Sequence, residues 1–183
     1  VAGGAVTTGT NNTLIGALAG DAITSAVRNV AVGKGALSSD TLGNASVAIG
    51  ENALSTQNLT TATNVHNVAV GLNAGFAVTT GIENTLIGGL AGDALTDADK
   101  NVAVGRGAIG SDTLGSRSVA VGFQALGDQN FTTATDVYNV GVGYEAGTSI
   151  TTGIRNTILG GEAGDELTDA DDNVAVGALA LSA

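Results

Sequence analysis

Cysteine, proline, methionine and tryptophan are all missing from this 183-residue chain, and two tyrosines and three phenylalanines are its only aromatic residues. Without cysteine there can be neither a disulfide nor a thiolate metal site, so stability must come from packing and hydrogen bonds. Because the chain has no methionine and begins at Val1, we expect it to be a fragment of a longer polypeptide. No stretch approaches the roughly 20 apolar residues that cross a bilayer, so we expect no membrane insertion in this segment.

Basic residues are also scarce. Six Lys and Arg stand against 17 Asp and Glu, which gives a formal charge of −11. Nucleic acids and anionic membranes bind proteins through basic patches. The charge therefore argues against both kinds of partner.

Small residues take the place of large ones. The chain has 29 glycines, and 43% of its residues are hydrophobic although only 3% are aromatic. Large side chains normally supply most of the apolar area that a globular core buries. A core built from small side chains must be thin, with backbone segments lying close together.

A five-residue motif dominates the sequence: Asn or Ser, three mostly apolar residues, and Gly. An alanine follows three residues after every motif glycine. The ten copies begin at Asn12, Asn29, Ser46, Asn67, Asn84, Asn101, Ser118, Asn139, Asn156 and Asn173.

The motif spacing has its own order. Successive starts are 17, 17, 21 and 17 residues apart, and the cycle of 72 residues then begins again. Residues 29–100 and 101–172 are identical at about two-thirds of their positions. We therefore interpret residues 1–183 as one repetitive domain, with partial units at 1–28 and 173–183 around two complete ones.

Each motif is typical of a β-strand. Val, Ile and Thr favour pleated backbone, and the apolar period of two excludes a helix. The motif glycine suits a turn closed to other residues, and the opening Asn suits a corner, where stacked coils would form an amide ladder. The sequence predicts an all-β fold, a parallel β-solenoid or β-roll with about ten stacked coils.

Alternation gives each strand two apolar faces. In the motif that begins at Asn29, Val30 and Val32 share one face and Ala31 takes the other. One face can fill the coil, and the other needs a partner. We expect the partner face to be the alanine face and the assembly to be a homotrimer around the long axis. The alanines concerned are Ala31, Ala48, Ala69, Ala103 and Ala120.

The motifs NVAVGxxAL and SVAIGxxAL resemble the YadA-like heads of trimeric autotransporter adhesins. The segments TTGIENTLIGGLAGD and NVAVGRGAIGSDTLGSRSVAVGFQAL also resemble repeats of bacteriophage tail-fibre and tailspike proteins. The resemblance covers essentially the whole chain. It implies a left-handed β-roll that forms a trimer along the roll, an extracellular location on a virion tail fibre or a bacterial surface, and no catalytic residues. Heads of the adhesin type have shorter coils, so we expect the extra residues here to form outward loops.

Few residues could carry chemistry. Asp97 and Asp99, like Asp169 and Asp171, alternate as at the start of a calcium loop. A solvated acidic loop is the alternative interpretation, and we expect no cofactor. His66, the single histidine, corresponds to Tyr138 in the next unit, so we expect it to pack at the end of a loop and not to act as a base.

The two 21-residue coils contain the best candidates for receptor contact. Each places one large apolar residue among Asn and Thr. The candidates are Asn58, Leu59, Thr60, Asn130, Phe131 and Thr132. Loops on a rigid scaffold often carry recognition. The competing interpretation is that Leu59 and Phe131 tuck under the loop or into the trimer seam.

Three classes of function fit these observations. The first is a structural and adhesive fibre segment, without enzymatic activity, whose loops attach to a glycan or protein receptor on a host surface. The second is an ice- or glycan-binding solenoid, although the threonines Thr13, Thr85 and Thr157 recur only once per unit. The third is a glycan-cleaving tailspike, for which the sequence favours no pair of carboxylates.

Overall fold

A computed structural model describes residues 1–182 of the chain, and these residues contain fourteen short β-strands and no helix. Ten strands of three residues coincide with the centres of the ten motifs. The strands are β1 Thr13–Ile15, β2 Val30–Val32, β3 Gly43–Asn44, β4 Val47–Ile49, β5 Thr63–Asn64, β6 Val68–Val70, β7 Thr85–Ile87, β8 Val102–Val104, β9 Gly115–Ser116, β10 Val119–Val121, β11 Thr135–Asp136, β12 Val140–Val142, β13 Thr157–Leu159 and β14 Val174–Val176.

The motif strands form one parallel sheet in the order β1-β2-β4-β6-β7-β8-β10-β12-β13-β14. Each strand pairs with the strand one coil away, and the register places motif on motif, as in Val102 opposite Val119. Coils stacked at about 4.8 Å make a body of roughly 48 Å. The prediction of an all-β parallel solenoid with ten coils is confirmed.

The four remaining strands lie in the 21-residue coils and in the coils that precede them. β3 pairs with β5, and β9 pairs with β11, both in parallel. Each of these two-stranded sheets joins the end of a 17-residue coil to the end of the long coil that follows. The extra residues of the long coil therefore bulge out before β5 and β11, as expected.

The two faces of the motif strands are the reverse of those we expected. The alanines of the motif centres, Ala31, Ala48, Ala69, Ala103 and Ala120, are fully buried inside the coil. The flanking residues, such as Val30 and Val32, point outward and are half-buried. The assignment of the alanine face to self-association was wrong. In four of these five coils a large side chain six positions later fills the interior, which leaves room for a methyl group at the motif centre while the bulkier valines lie outside.

Side-chain size alternates inside the coils. Where the motif centre is large, as at Leu86, the residue six positions later is glycine, and a Cβ on Gly92 would lie 2.7 Å from Leu86 Cδ2. Where the centre is Ala31 or Ala103, the later residue is Leu37 or Ile109, both fully buried. In these coils the exchange of large for small fills the interior, as dense packing requires. The coil of Ala69 has Gly75 at the later position, and Leu54 and Leu86 of the adjoining coils lie against that glycine instead.

The motif glycines form a column in which no side chain fits. Their φ angles lie between 120° and 143°, a region that L-residues rarely adopt. A Cβ on Gly88 would lie 2.5 Å from the carbonyl oxygen of Gly105 in the next coil. Glycine is therefore required both by conformation and by the close approach of stacked backbones.

The motif asparagines form the predicted ladder at the corner. Asn84 is fully buried. Its Oδ1 accepts a hydrogen bond of 2.9 Å from the backbone N–H of Asn101 in the next coil. Its Nδ2 donates one of 2.8 Å to the carbonyl of Ala98. The side chain thus satisfies one backbone donor and one backbone acceptor, which is why a buried amide is stable there.

A buried cluster replaces the ladder where Ser118 interrupts it. The Asp112 carboxylate accepts hydrogen bonds from the backbone N–H groups of Gly115 (3.1 Å) and Phe131 (2.9 Å). It also accepts one of 2.6 Å from Gln129 Nε2, and Gln129 Oε1 accepts one of 2.9 Å from Asn139 Nδ2. The first unit repeats this polar clasp around Asp40 and Gln57. The clasp ties the long coil to both neighbours.

Gly88→Ala should lower the free energy of unfolding by about 3 kcal/mol or more, because the substitution combines a disfavoured backbone conformation with a steric clash. Gly110→Ala is the matched control. Gly110 has no positive φ, its Cβ would meet nothing closer than 3.1 Å, and the equivalent residue of the first unit is Ser38. Chemical denaturation followed by circular dichroism measures both, and equal losses would contradict the role of the glycine column.

Asp112→Ala should lower the free energy of unfolding by about 3 kcal/mol, because the Gln129 amide and two backbone donors lose their acceptor in a buried site. Asp128→Ala removes an exposed carboxylate from the adjoining coil and should change stability by less than about 0.5 kcal/mol. The same denaturation measurement compares them. Similar values for the two variants would show that the clasp does not stabilise the fold.

Candidate functional site

The outward side of the ten-stranded sheet is a continuous apolar surface. Each motif strand presents its first and third residues there, and apart from Thr13, Thr85 and Thr157 all of them are Val, Ile or Leu. We call this surface the valine face. It remains accessible along its whole length, with exposed fractions of 58% at Ile15, 36% at Val121 and 48% at Leu159. Large exposed apolar surfaces of this kind mark interfaces.

A charged column borders the valine face. It consists of the residue before each motif, and every member has a positive φ between 55° and 66°. Neighbouring coils pair their charges across the column: Arg155 Nε lies 2.6 Å from Asp172 Oδ1, and Lys100 Nζ lies 3.8 Å from Glu83 Oε2. The hydrogen bond to Asp172 raises the pKa of Arg155, and the same bond lowers the pKa of Asp172. Exposed pairs such as these contribute little stability.

His66 and Tyr138 lie in this charged column. Both are exposed on the surface, with Tyr138 at 52%, so the expectation that His66 packs beneath the loop end was wrong. The Arg117 guanidinium lies 5.9 Å from the centre of the Tyr138 ring and also pairs with Asp136. A positive φ at the corner turns these side chains away from the core.

The long loops bury their large apolar residues. Leu59 and Phe131 are each only 7% exposed, and the Phe131 N–H is held by the Asp112 carboxylate. Both residues therefore lie under the loop, in agreement with the interpretation that competed with receptor contact. The other four candidates for receptor contact remain exposed: Asn58, Thr60, Asn130 and Thr132.

The carboxylates of the first acidic pair, Asp97 and Asp99, accept hydrogen bonds from other residues of the solenoid. Asp97 Oδ1 accepts hydrogen bonds from the Thr80 and Thr79 hydroxyls, which hold the pKa of this carboxyl below its ordinary value. Asp99 Oδ1 accepts one of 2.7 Å from the N–H of Ile82.

The second acidic pair is arranged in a similar way. Asp171 Oδ1 accepts a hydrogen bond of 2.8 Å from the N–H of Ile154, and the Thr168 hydroxyl lies 3.3 Å from Asp169 Oδ1. Across residues 1–182, no three His, Cys, Asp or Glu side chains converge as they would around a metal ion.

A threonine column runs up another side of the coils, and it was missed in the sequence although Thr recurs twelve residues after most motif starts. The Thr96 hydroxyl donates a hydrogen bond of 3.0 Å to the carbonyl of Thr113, and Thr24 does the same to Thr41 at 3.2 Å. Because these hydroxyl protons are donated to carbonyls of the next coil, the column stabilises the stack and is poorly suited to ordering water. It therefore adds no support to the ice-binding alternative.

The described surface is otherwise simple. No enclosed pocket opens on residues 1–182, and none of the described segments is a helix with the length and hydropathy of a membrane span. Comparison of the chain with protein-family models, with curated proteins and with solved structures found no match in any of the three.

Proposed function

We propose that this chain is a structural and adhesive segment of a fibre, carried by a phage tail or a bacterial surface adhesin, and that it has no enzymatic activity. The observation that carries the proposal is the valine face. An apolar strip two side chains wide and ten coils long, exposed on a single chain, is expected to be covered in the working molecule. An extended body without an enclosed pocket is also suited to span distance.

A second copy of the same chain is the partner that fits this face best. The face repeats at about 4.8 Å over ten coils, and an identical copy has the same pitch along the same length. Homo-oligomers close by point-group symmetry. Three left-handed rolls, arranged around a threefold axis with their valine faces inward, would cover all three strips and agree with the resemblance to trimeric adhesin heads.

The exposed residues of the long loops are the proposed points of attachment. Asn58, Thr60, Asn130 and Thr132 project from coils held by the polar clasp, so their positions on the fibre are fixed. Asn and Thr offer hydrogen-bond donors and acceptors at the surface. A glycan or protein on a host surface would provide the matching groups. With this attachment role we propose an extracellular location for the segment.

Light scattering should give the folded protein a mass three times that of the 17.6 kDa chain. Val121→Lys should reduce the mass to that of a single chain, because it would bury a charge in the seam of the trimer. Since Val121 is 36% exposed in the single chain, the coil itself should tolerate lysine.

Ser111→Lys is the control for Val121→Lys. It introduces the same charge at an exposed position away from the valine face and should leave the trimer intact. A stable, folded monomer of the unmodified protein would overturn the proposed assembly. Dissociation by both variants would mean that added charge, and not the valine face, is responsible.

The double variant Thr60→Arg and Thr132→Arg should abolish attachment of labelled protein to bacterial cells or cultured animal cells, while its mass stays trimeric. Bulky charged side chains at the loop tips would prevent close approach of a receptor. Ser25→Arg with Ser111→Arg provides the same charge at exposed positions outside the loops. Unchanged attachment of the loop variant would remove these residues from the proposed receptor contact.

A further inference from the structure

A second outward column follows the valine face in every coil, formed by the residue after each motif glycine. We call it the flank column. Its members are Ala17, Lys34, Glu51, Leu72, Gly89, Arg106, Phe123, Tyr144, Gly161 and Ala178. Three consecutive members stack. The Arg106 guanidinium lies 5.7 Å from the centre of the Phe123 ring, and the Phe123 and Tyr144 rings are 5.4 Å apart at an angle of 10°.

The stack stops at Gly161. Phe123 covers one face of the Tyr144 ring, and the opposite face looks towards the coil of Gly161, which has no side chain. A Cβ built on Gly161 would meet only the Tyr144 carbonyl oxygen, at 3.9 Å. Tyr144 is 53% exposed, and Ala178 lies one coil further on. The column is therefore empty over Gly161, and the uncovered face of the Tyr144 ring borders the empty position. We call this position the vacant rung.

A carboxylate stands beside the vacant rung. Glu162 follows Gly161, is exposed, and donates its N–H to the Tyr144 carbonyl at 2.8 Å. The carboxylates of Glu145 and Glu162 raise the pKa of Tyr144, and Glu145 has the larger effect. Neither glutamate belongs to an ion pair of the described residues. The aromatic face and the negative charge thus occur together without a cation.

The preceding unit has the same vacant rung with different chemistry. Leu72 stands in place of Tyr144, Asn73 in place of Glu145 and Leu90 in place of Glu162, while the glycine is kept as Gly89. The aromatic ring and both carboxylates are present together in one unit and absent together from the other. In two units that are about two-thirds identical, this joint difference argues for one ligand chemistry at Tyr144.

We propose that the vacant rung over Gly161 binds an alkylammonium group, such as a lysine side chain or a quaternary ammonium, presented by a partner surface. The open face of Tyr144 attracts a cation through the ring quadrupole, and Glu162 supplies the counter-charge. The overall charge of −11 favours the approach of cations. This binding goes beyond the fibre role and does not depend on the trimer or on the long loops.

Tetramethylammonium titration of the full chain tests the proposal by NMR of the tyrosine rings. Tyr138→Phe leaves Tyr144 as the single tyrosine. We expect a saturable shift of the Tyr144 ring signals with tetramethylammonium, and none with sodium chloride at equal ionic strength. The neutral analogue 3,3-dimethyl-1-butanol and methyl glucoside should also give none. Saturation by the neutral analogue or the glucoside at the same concentrations would overturn a cation site in favour of an apolar or saccharide site.

Two variants test whether the site lies at Tyr144 and Glu162, and circular dichroism checks that each variant is folded. Tyr144→Leu copies the residue of the preceding unit and should abolish the shift of the tetramethylammonium methyl signal. Glu162→Gln should weaken binding by up to about fivefold, the upper range of an exposed ion pair. Both should keep the circular dichroism of the parent.

The converse experiment builds the site in the preceding unit. Leu72→Tyr with Asn73→Glu and Leu90→Glu should add a second site of similar affinity over Gly89. Absence of saturable tetramethylammonium binding in the folded parent, or its persistence in Tyr144→Leu, would overturn the proposal. Neither result would change the expected trimeric mass. The proposed cation site and the proposed fibre role can therefore be contradicted independently.

Discussion

Hydrogen bonding between one coil and the next is the constraint on which the rest of this molecule depends. Within residues 1–182 no strand exceeds three residues, so no coil could hold its shape alone. Backbone groups at strands, turns and corners instead pair with the coil above or below, as when the N–H of Thr85 bonds the carbonyl of Asn101 and that of Gly88 bonds the carbonyl of Val70. Stacking at this spacing forbids a side chain at the motif glycines and favours an amide at the corner.

The same constraint explains why most of the fold could be predicted from the sequence. A close backbone approach demands glycine, and a buried corner favours Asn, so both residues recur at the coil period and reveal it. The strands, their parallel order and the asparagine ladder follow from that period. The excess length of the coils at Ser46 and Ser118 likewise predicts where backbone must leave the stack.

The repeat period does not show which face of each strand points into the coil. Alternation separates Val102 and Val104 from Ala103 but is symmetric between inside and outside. The decisive information is a correlation between distant positions: Leu14 is followed by Gly20, whereas Ala31 is followed by Leu37. A large residue at one position is matched there by a small residue at the other, as expected of two positions that share the coil interior. The burial of Leu59 and Phe131 and the pairing of Phe123 with Tyr144 depend on neighbouring coils, which no local pattern describes.

The asparagine ladder also has a consequence for how such proteins change length. Each Asn of the ladder accepts, through Oδ1, the backbone N–H at the corner of the coil that follows it, and every fourth coil presents the same corner again. Gain or loss of 72 residues therefore leaves every junction chemically unchanged, while gain or loss of a single residue would misplace all later corners. The solenoid can therefore change its length in steps of four coils, about 19 Å each. Recombination within the gene can lengthen or shorten its reach without redesigning its core.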